Sequence, residues 1–200
     1  MNYPKFFDNV KSITLYDPLA DFLGAFEDGI IEMRYVDIAK FAGHSCPTVA
    51  GAYLMTMLGL KKLYPDSTPV RGEIIVDMKG DIREGVTGVI GNVIGFITGA
   101  ANEGGFKGLA GKFGRANRLR FGANIESEVK LTRIDTNESC LIDYDPSSVP
   151  SDPRTGTLMQ KMLSGIANDE EKKLFKALWQ ERVEKILCDE NLWENIVKIR

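Results

Sequence analysis

Ala42-Gly43-His44-Ser45-Cys46-Pro47-Thr48-Val49-Ala50-Gly51 holds the only histidine of a 200-residue chain, two positions before a cysteine. Beyond Pro47 the apolar residues Val49, Ala50, Tyr53, Leu54, Met57 and Leu58 fall on one stripe with a 3.6-residue period, which predicts a helix from Pro47 to about Leu63, stopped by Pro65. Proline is well placed as the first helical residue, which puts Cys46 at the N-cap. A thiol there faces unpaired backbone N–H groups and the positive end of the helix dipole, which favour the thiolate. Gly43 and Pro47 make a turn that brings an imidazole and a thiol at i and i+2 toward one point. Such a pair reads as two metal ligands or as an activated nucleophile. The bland alternative is a small core cysteine beside a histidine bonded to backbone.

Upstream, Asp17-Pro18 opens a short helix through Leu23, and Glu27-Asp28-Gly29 reads as a turn. Ile31, Met33 and Tyr35 alternate with polar residues and predict a strand running toward the His-Cys segment. Downstream, Ile74, Val76 and Met78 mark another strand. Ten of the twenty glycines then fall between Gly85 and Gly114. In the first half of that region Val86, Val89, Ile90, Val93, Ile94 and Ile97 form a helical stripe, with Gly88, Gly91, Gly95 and Gly99 on another. Glycine costs a helix about 0.5–1 kcal/mol relative to alanine, so these glycines predict a face pressed against another backbone or, less simply, a ligand.

The second half, Glu103 to Arg115, reads as a glycine-rich loop, followed or studded by Lys107, Lys112, Arg115, Arg118 and Arg120 with no acid among them. Backbone N–H groups of such a loop can cradle an anion, which makes Gly104, Gly105, Lys107 and Lys112 the candidate cofactor-binding residues. It is not a P-loop: Phe106 stands where the first glycine belongs, and Phe113 where serine or threonine would hold magnesium. A solvated basic loop is the default expectation. Val129 to Tyr144 reads as a β-hairpin turning at Asp135–Glu138, with Cys140 as a core residue. Pro, Ser and Asp concentrate from Asp145 to Pro153, so the expected organisation is an α+β core over residues 1–150 and a helical extension over 151–200 packed on it.

Hydrophobic residues at 44%, charged residues at 26% and a net charge of −3 are ordinary for a soluble protein and give no bulk attraction to nucleic acid or anionic membrane. The first residues lack the pattern of a signal peptide. Cys46, Cys140 and Cys188 are far apart and odd in number, which disfavours a disulfide framework. A cytoplasmic location is expected.

The segment Gly43-His44-Ser45-Cys46-Pro47, with Gly51 beyond it, resembles the signature of the FmdE family, named for the E component of formylmethanofuran dehydrogenase. The resemblance continues through Arg71-Gly72-Glu73, Gly85-Val86-Thr87-Gly88-Val89, Ile97-Thr98-Gly99-Ala100-Ala101 and Gly105-Phe106-Lys107-Gly108, over roughly residues 15 to 145. It implies an α+β core with a mixed or antiparallel sheet, often dimeric, with a metal site. Many members add a C-terminal zinc finger; here amphipathic helices stand in its place. Gly80-Asp81-Ile82-Arg83 also departs from the cysteine or aspartate pattern that many members carry near the glycine-bearing helix.

The functional expectation is a metal-binding FmdE-like protein, an enzyme or accessory protein of C1 or redox metabolism acting on a small molecule. His44 and Cys46 would hold a divalent transition metal, zinc above all, and also carry any catalysis. Two ligands do not close a site, and Asp77, Asp81 and Glu103 are the acids considered for the rest, along with water, substrate or a second copy of the chain. The alternatives are a non-catalytic module binding a small ligand at the glycine-rich loop, and a cysteine enzyme in which His44 activates Cys46. A homodimer is expected from the apolar C-terminal helices.

Overall fold

Asp17 begins the architecture by capping a helix. In this computed structural model, which describes residues 2–200, its carboxylate accepts from the Leu19 and Ala20 N–H groups at 3.0 and 3.2 Å, starting α1 (Pro18–Leu23). That helix lies between the two strands of a small antiparallel pair, β1 (Ile13–Tyr16) and β2 (Ile30–Met33). The alternation read through Tyr35 stops at Met33. Tyr35, Val36 and Ile38 instead bury one face of α2 (Tyr35–Ala42), and the Asp37 carboxylate accepts from the Arg34 N–H at 3.1 Å to start it. Positions i and i+4 lie on one face in both a strand and a helix, so a run as short as Ile31 to Tyr35 does not separate them.

The helix expected after the proline is α3 (Pro47–Leu63). It is more deeply buried than a one-stripe helix: residues 49–56 are buried without a break, because α3 is packed on several sides. β3 (Ile74–Met78) leads to α4 (Thr87–Thr98), the glycine-bearing helix, which packs on α3 and β3. Then come β4 (Leu119–Arg120), β5 (Val129–Arg133) and β6 (Ser139–Tyr144). The last two form the hairpin expected from sequence.

Three helices follow: α5 (Arg154–Leu163), α6 (Asp169–Cys188) and α7 (Glu190–Ile196). The chain ends in β7 (Val197–Ile199), which pairs with β6. The main sheet has the order β4-β3-β5-β6-β7, with β3 and β4 parallel and the other pairs antiparallel. The fold is thus α+β with a mixed sheet. α3 lies across the sheet with α4 and α6 against it. Phe6 and Phe7 at one end of the chain and Ile186, Trp193 and Val197 at the other share one hydrophobic cluster. The Pro- and Ser-rich stretch before α5 is tied to α6 by Arg182, whose Nε donates to the Val149 carbonyl at 2.7 Å. No helix among the described residues is long and apolar enough to cross a membrane.

Candidate metal centre

Gly43 ends α2 in the left-handed conformation, φ 73° and ψ 2°, and turns the chain outward. His44 and Ser45 carry it to Cys46, which is extended at φ −148°, ψ 168°, and Pro47 then starts α3. The Cys46 Sγ accepts from the Val49 N–H at 3.4 Å, as the N-cap position predicts.

The imidazole is oriented by its own loop. His44 Nδ1 lies 2.9 Å from the Ala42 carbonyl oxygen, which can only accept, so Nδ1 carries the proton. In the neutral ring Nε2 is therefore unprotonated, and it faces Cys46 Sγ at 3.3 Å. A metal-binding histidine is commonly held this way, with its other ring nitrogen donating to a carbonyl. For a tetrahedral zinc with Zn–N of about 2.0–2.1 Å and Zn–S of about 2.3 Å, the two donor atoms sit about 3.5 Å apart. The pair thus has the donor types, tautomer and separation that such an ion needs.

Residues distant in sequence clamp this loop. Tyr35 Oη and Ser45 Oγ are 2.9 Å apart. From α6, Trp179 Nε1 and Gln180 Nε2 both donate to the Ser45 carbonyl, at 3.0 and 3.2 Å. From β6, Tyr144 Oη donates to the Pro47 carbonyl at 2.9 Å. The Tyr144 ring occupies the space beside Gly51, where a Cβ would lie 2.3 Å from it. Burial pushes the Tyr35 and Tyr144 hydroxyls well above the usual phenol range, so both stay protonated and act as fixed donors or acceptors of neutral hydrogen bonds. On one side of His44 a cleft of about 530 Å³ is lined by Tyr3, Phe7, Phe175, Trp179 and Gln180, a size and apolar character suited to a small organic molecule.

A family model described as FmdE, Molybdenum formylmethanofuran dehydrogenase operon, matches residues 41–192. The chain belongs to the FmdE family. No curated protein matches it. The match begins just before the His-Cys loop and runs through α6, so the Trp179 and Gln180 clamp lies inside the FmdE domain.

The other candidate residues of this FmdE chain lie apart from the pair. Asp77 is buried on β3 and receives Arg120 in a two-bond pairing at 2.6 and 2.7 Å. Asp81 is exposed and accepts from the Arg83 N–H at 3.0 Å; Glu103 is exposed in the glycine-rich loop. No group of three or more His, Cys, Asp and Glu side chains gathers in metal-binding fashion among the described residues.

In the glycine-rich loop, Lys107 and Lys112 are exposed. Gly105 is packed, since a Cβ there would come 2.5 Å from Ala101 and 2.9 Å from Ala116. Gly104 N–H is taken by Asn102 Oδ1 at 3.2 Å, and the N–H groups of Leu109, Lys112, Arg115 and Ala116 go to carbonyls of the loop itself. Those donors close parts of the loop on itself. The expectation of a solvated basic loop is corrected at Arg115, which is buried against Asp17; beyond the loop, Arg118 pairs with Glu73 and the exposed Arg120 with Asp77. Their partners lie far away in sequence, which is why a local reading shows only unpaired cations.

Proposed function

We propose that His44 Nε2 and Cys46 Sγ bind one divalent metal ion, zinc or a neighbouring transition ion, and that the chain acts there on a small molecule held in the adjoining aromatic cleft. The observation that carries this reading is the 3.3 Å convergence of the two donor atoms with Nδ1 committed to the Ala42 carbonyl. When bound, a divalent metal with open positions supplies Lewis acidity and activates water. The chain's own part is to fix the imidazole tautomer through Ala42, to hold the loop through Tyr35, Tyr144, Trp179 and Gln180, and to line one side with apolar rings against which a small molecule can lie.

The test is elemental analysis of protein purified without an affinity tag. Wild type should carry about one equivalent of metal, the stoichiometry of one mononuclear site, while His44→Ala and Cys46→Ala each fall to background. Unchanged metal content in both variants would reject the site.

The same contact favours a second reading, in which the thiol passes its proton to His44 and Cys46 is a nucleophile. Metal-free wild type would then alkylate with iodoacetamide faster than the His44→Ala variant at neutral pH. Equal rates remove that reading and leave the metal one standing.

The remaining coordination positions belong to water, substrate or a second copy of the chain. Exposed apolar side chains support the last: Leu163 and Ile166, at the end of α5, are 77% and 72% exposed. We propose a two-fold homodimer. Light scattering should give twice the chain mass of 22.2 kDa, and a monomer mass held across a concentration series would reject it.

A further inference from the structure

Asp17, the cap of α1, is also the meeting point of two arginines. Its Oδ2 accepts from Arg71 Nη1 at 2.9 Å and its Oδ1 from Arg115 Nη2 at 2.7 Å, in addition to the two cap bonds. Oδ1 thus accepts three bonds and Oδ2 one. Arg71 spends two further donors on the end of α4, Nε to the Ile97 carbonyl at 3.0 Å and Nη2 to the Phe96 carbonyl at 2.8 Å.

Arg115 is not satisfied. It is 7% exposed, and among the described residues its side chain bonds only to Asp17 and its buried Nη1 finds no acceptor. The guanidinium fits against Gly72 and Gly99, where any Cβ would lie 1.8 and 2.4 Å from Nη1. Two guanidinium groups therefore share one carboxylate. The adjoining Arg118–Glu73 pair, at 3.3 Å, neutralises itself. Asp21, one helical turn beyond Asp17, is exposed and accepts from Tyr16 Oη at 2.8 Å. One carboxylate thus faces two guanidinium charges, one of them enclosed at Arg115 and the other on the partly exposed Arg71, which rests on the last carbonyls of α4; burial penalises the surplus charge unless something pairs it.

Arg71 and Arg115 both form part of the wall of a cleft of about 390 Å³, together with Asn92, Phe96, Asn102 and Phe106. Phe41 stacks on Phe96 with ring centroids 4.4 Å apart. Asn102 has its Oδ1 taken by Gly104, which leaves its amide N–H groups to donate. The cleft therefore combines uncompensated guanidinium charge, amide donors and phenyl walls.

We infer that this cleft is a second binding site, separate from the His44–Cys46 pair, and that it takes a small aromatic carboxylate. The carboxylate would supply the missing counter-charge, meeting the partly exposed Arg71 directly and acting on the enclosed Arg115 through charge alone. The ring would lie against Phe96 and Phe106. An inorganic phosphate offers the charge but nothing for the phenyl walls, and a neutral ring offers the reverse.

The experiment is a titration of the full wild-type chain, followed by the amide resonances of Gly99, Ala100, Ala101 and Asn102, with three probes: benzoate, inorganic phosphate and benzyl alcohol. Benzoate should shift these amides to saturation and bind at least about tenfold more tightly than either other probe, as expected when charge and ring contact both contribute. No shift with millimolar benzoate would overturn the proposal. So would phosphate or benzyl alcohol binding as tightly as benzoate.

Arg115→Met, if circular dichroism shows it folded, should lose benzoate binding by a similar factor, and retained affinity would overturn the assignment. Should that variant not fold, Asn102→Ala and Phe106→Ala carry the test: both side chains are exposed, each change should weaken benzoate several-fold, and unchanged affinity in both would overturn it. Cys46→Ala should bind benzoate as wild type does. Lost binding there would move the ligand to the His-Cys pair and end the case for a second site.

Discussion

His44 and Cys46 meet at the surface on a loop whose bonds run mainly to backbone carbonyls, whereas Arg71, Asp17 and Arg115 meet in the interior and bond to one another through charge. Both clusters are small, and both are assembled at helix ends: the pair where α2 gives way to α3, the triad where α1 begins and α4 ends. They differ in what replaces a lost member. Water can reach the exposed pair and solvate whatever remains. It cannot reach the buried face of Arg115, so removing the shared carboxylate strands two guanidinium groups. The interior cluster should thus dominate stability and the surface cluster should dominate chemistry.

Asp17→Asn is the change expected to cost most. Asparagine caps a helix about as well as aspartate, so the Leu19 and Ala20 N–H groups keep an acceptor and the loss isolates the charge. Breaking a buried pair in this way costs about 3–5 kcal/mol, to be read from urea unfolding at neutral pH. Acid sharpens the reading. Burial raises the Asp17 pKa, but the Arg71 hydrogen bond and the Arg115 charge outweigh it and hold the carboxyl below its ordinary value of 3.8. A lowered folded pKa means that the stability is present above the unfolded value and disappears as pH falls through the folded one. The gap between wild type and Asp17→Asn should therefore be complete above about pH 5 and close at lower pH. A gap that stays constant into strong acid would show that Asp17 acts by shape rather than by charge.

The seat of the surface pair can be broken without touching either donor. At Gly51 a side chain must displace the Tyr144 ring, which holds the Pro47 carbonyl. Overpacking of this kind costs about 1–3 kcal/mol, so Gly51→Leu should be less damaging than Asp17→Asn. It should also lower metal content if the loop clamp sets the donor geometry. Full metal occupancy with the stability loss alone would separate the clamp from the site.

The two clusters are unequally visible in the sequence. His44 and Cys46 are two residues apart, so a local turn and one helix start are enough to pair them, and Pro47 marks where that helix begins. The interior cluster joins residues 17, 71 and 115, and no local pattern links them. The nearest hint is that Arg115 follows a glycine loop without any acid to balance it. The sheet hairpin and α3 are legible because their apolar period runs over many residues. α2 is not, since Ile31, Met33 and Tyr35 continue one alternation across what the structure divides into a strand and a helix. The role of α6 is hidden for another reason: Trp179 sits on an ordinary apolar helix stripe, and only the packed fold shows its indole N–H reaching the Ser45 carbonyl.

Cys46→Ala should have the smallest effect on the folded state of the metal-free protein. The Sγ atom caps α3 through one long bond to the Val49 N–H. Loss of an N-cap typically costs about 0.5–2 kcal/mol even when the cap is a good oxygen acceptor; sulfur accepts more weakly, which places this loss below about 1 kcal/mol. For a chain of this size that is a fall of about 2–4 °C in Tm at most. His44→Ala should change less, because an exposed imidazole bonded to its own loop carries little packing. Both variants are therefore to be melted with a chelator and again with added zinc. A ligand that binds only the native state stabilises it by RT ln(1 + L/Kd) at free concentration L, and so raises Tm with concentration; zinc should therefore raise the melting temperature of chelator-treated wild type and leave both variants where they were. If the zinc-dependent rise survives in both, the ion sits elsewhere and the surface pair is a cap and a turn. If it vanishes in both while their chelated melting temperatures stay near wild type, the pair binds the metal and contributes almost nothing else to the fold.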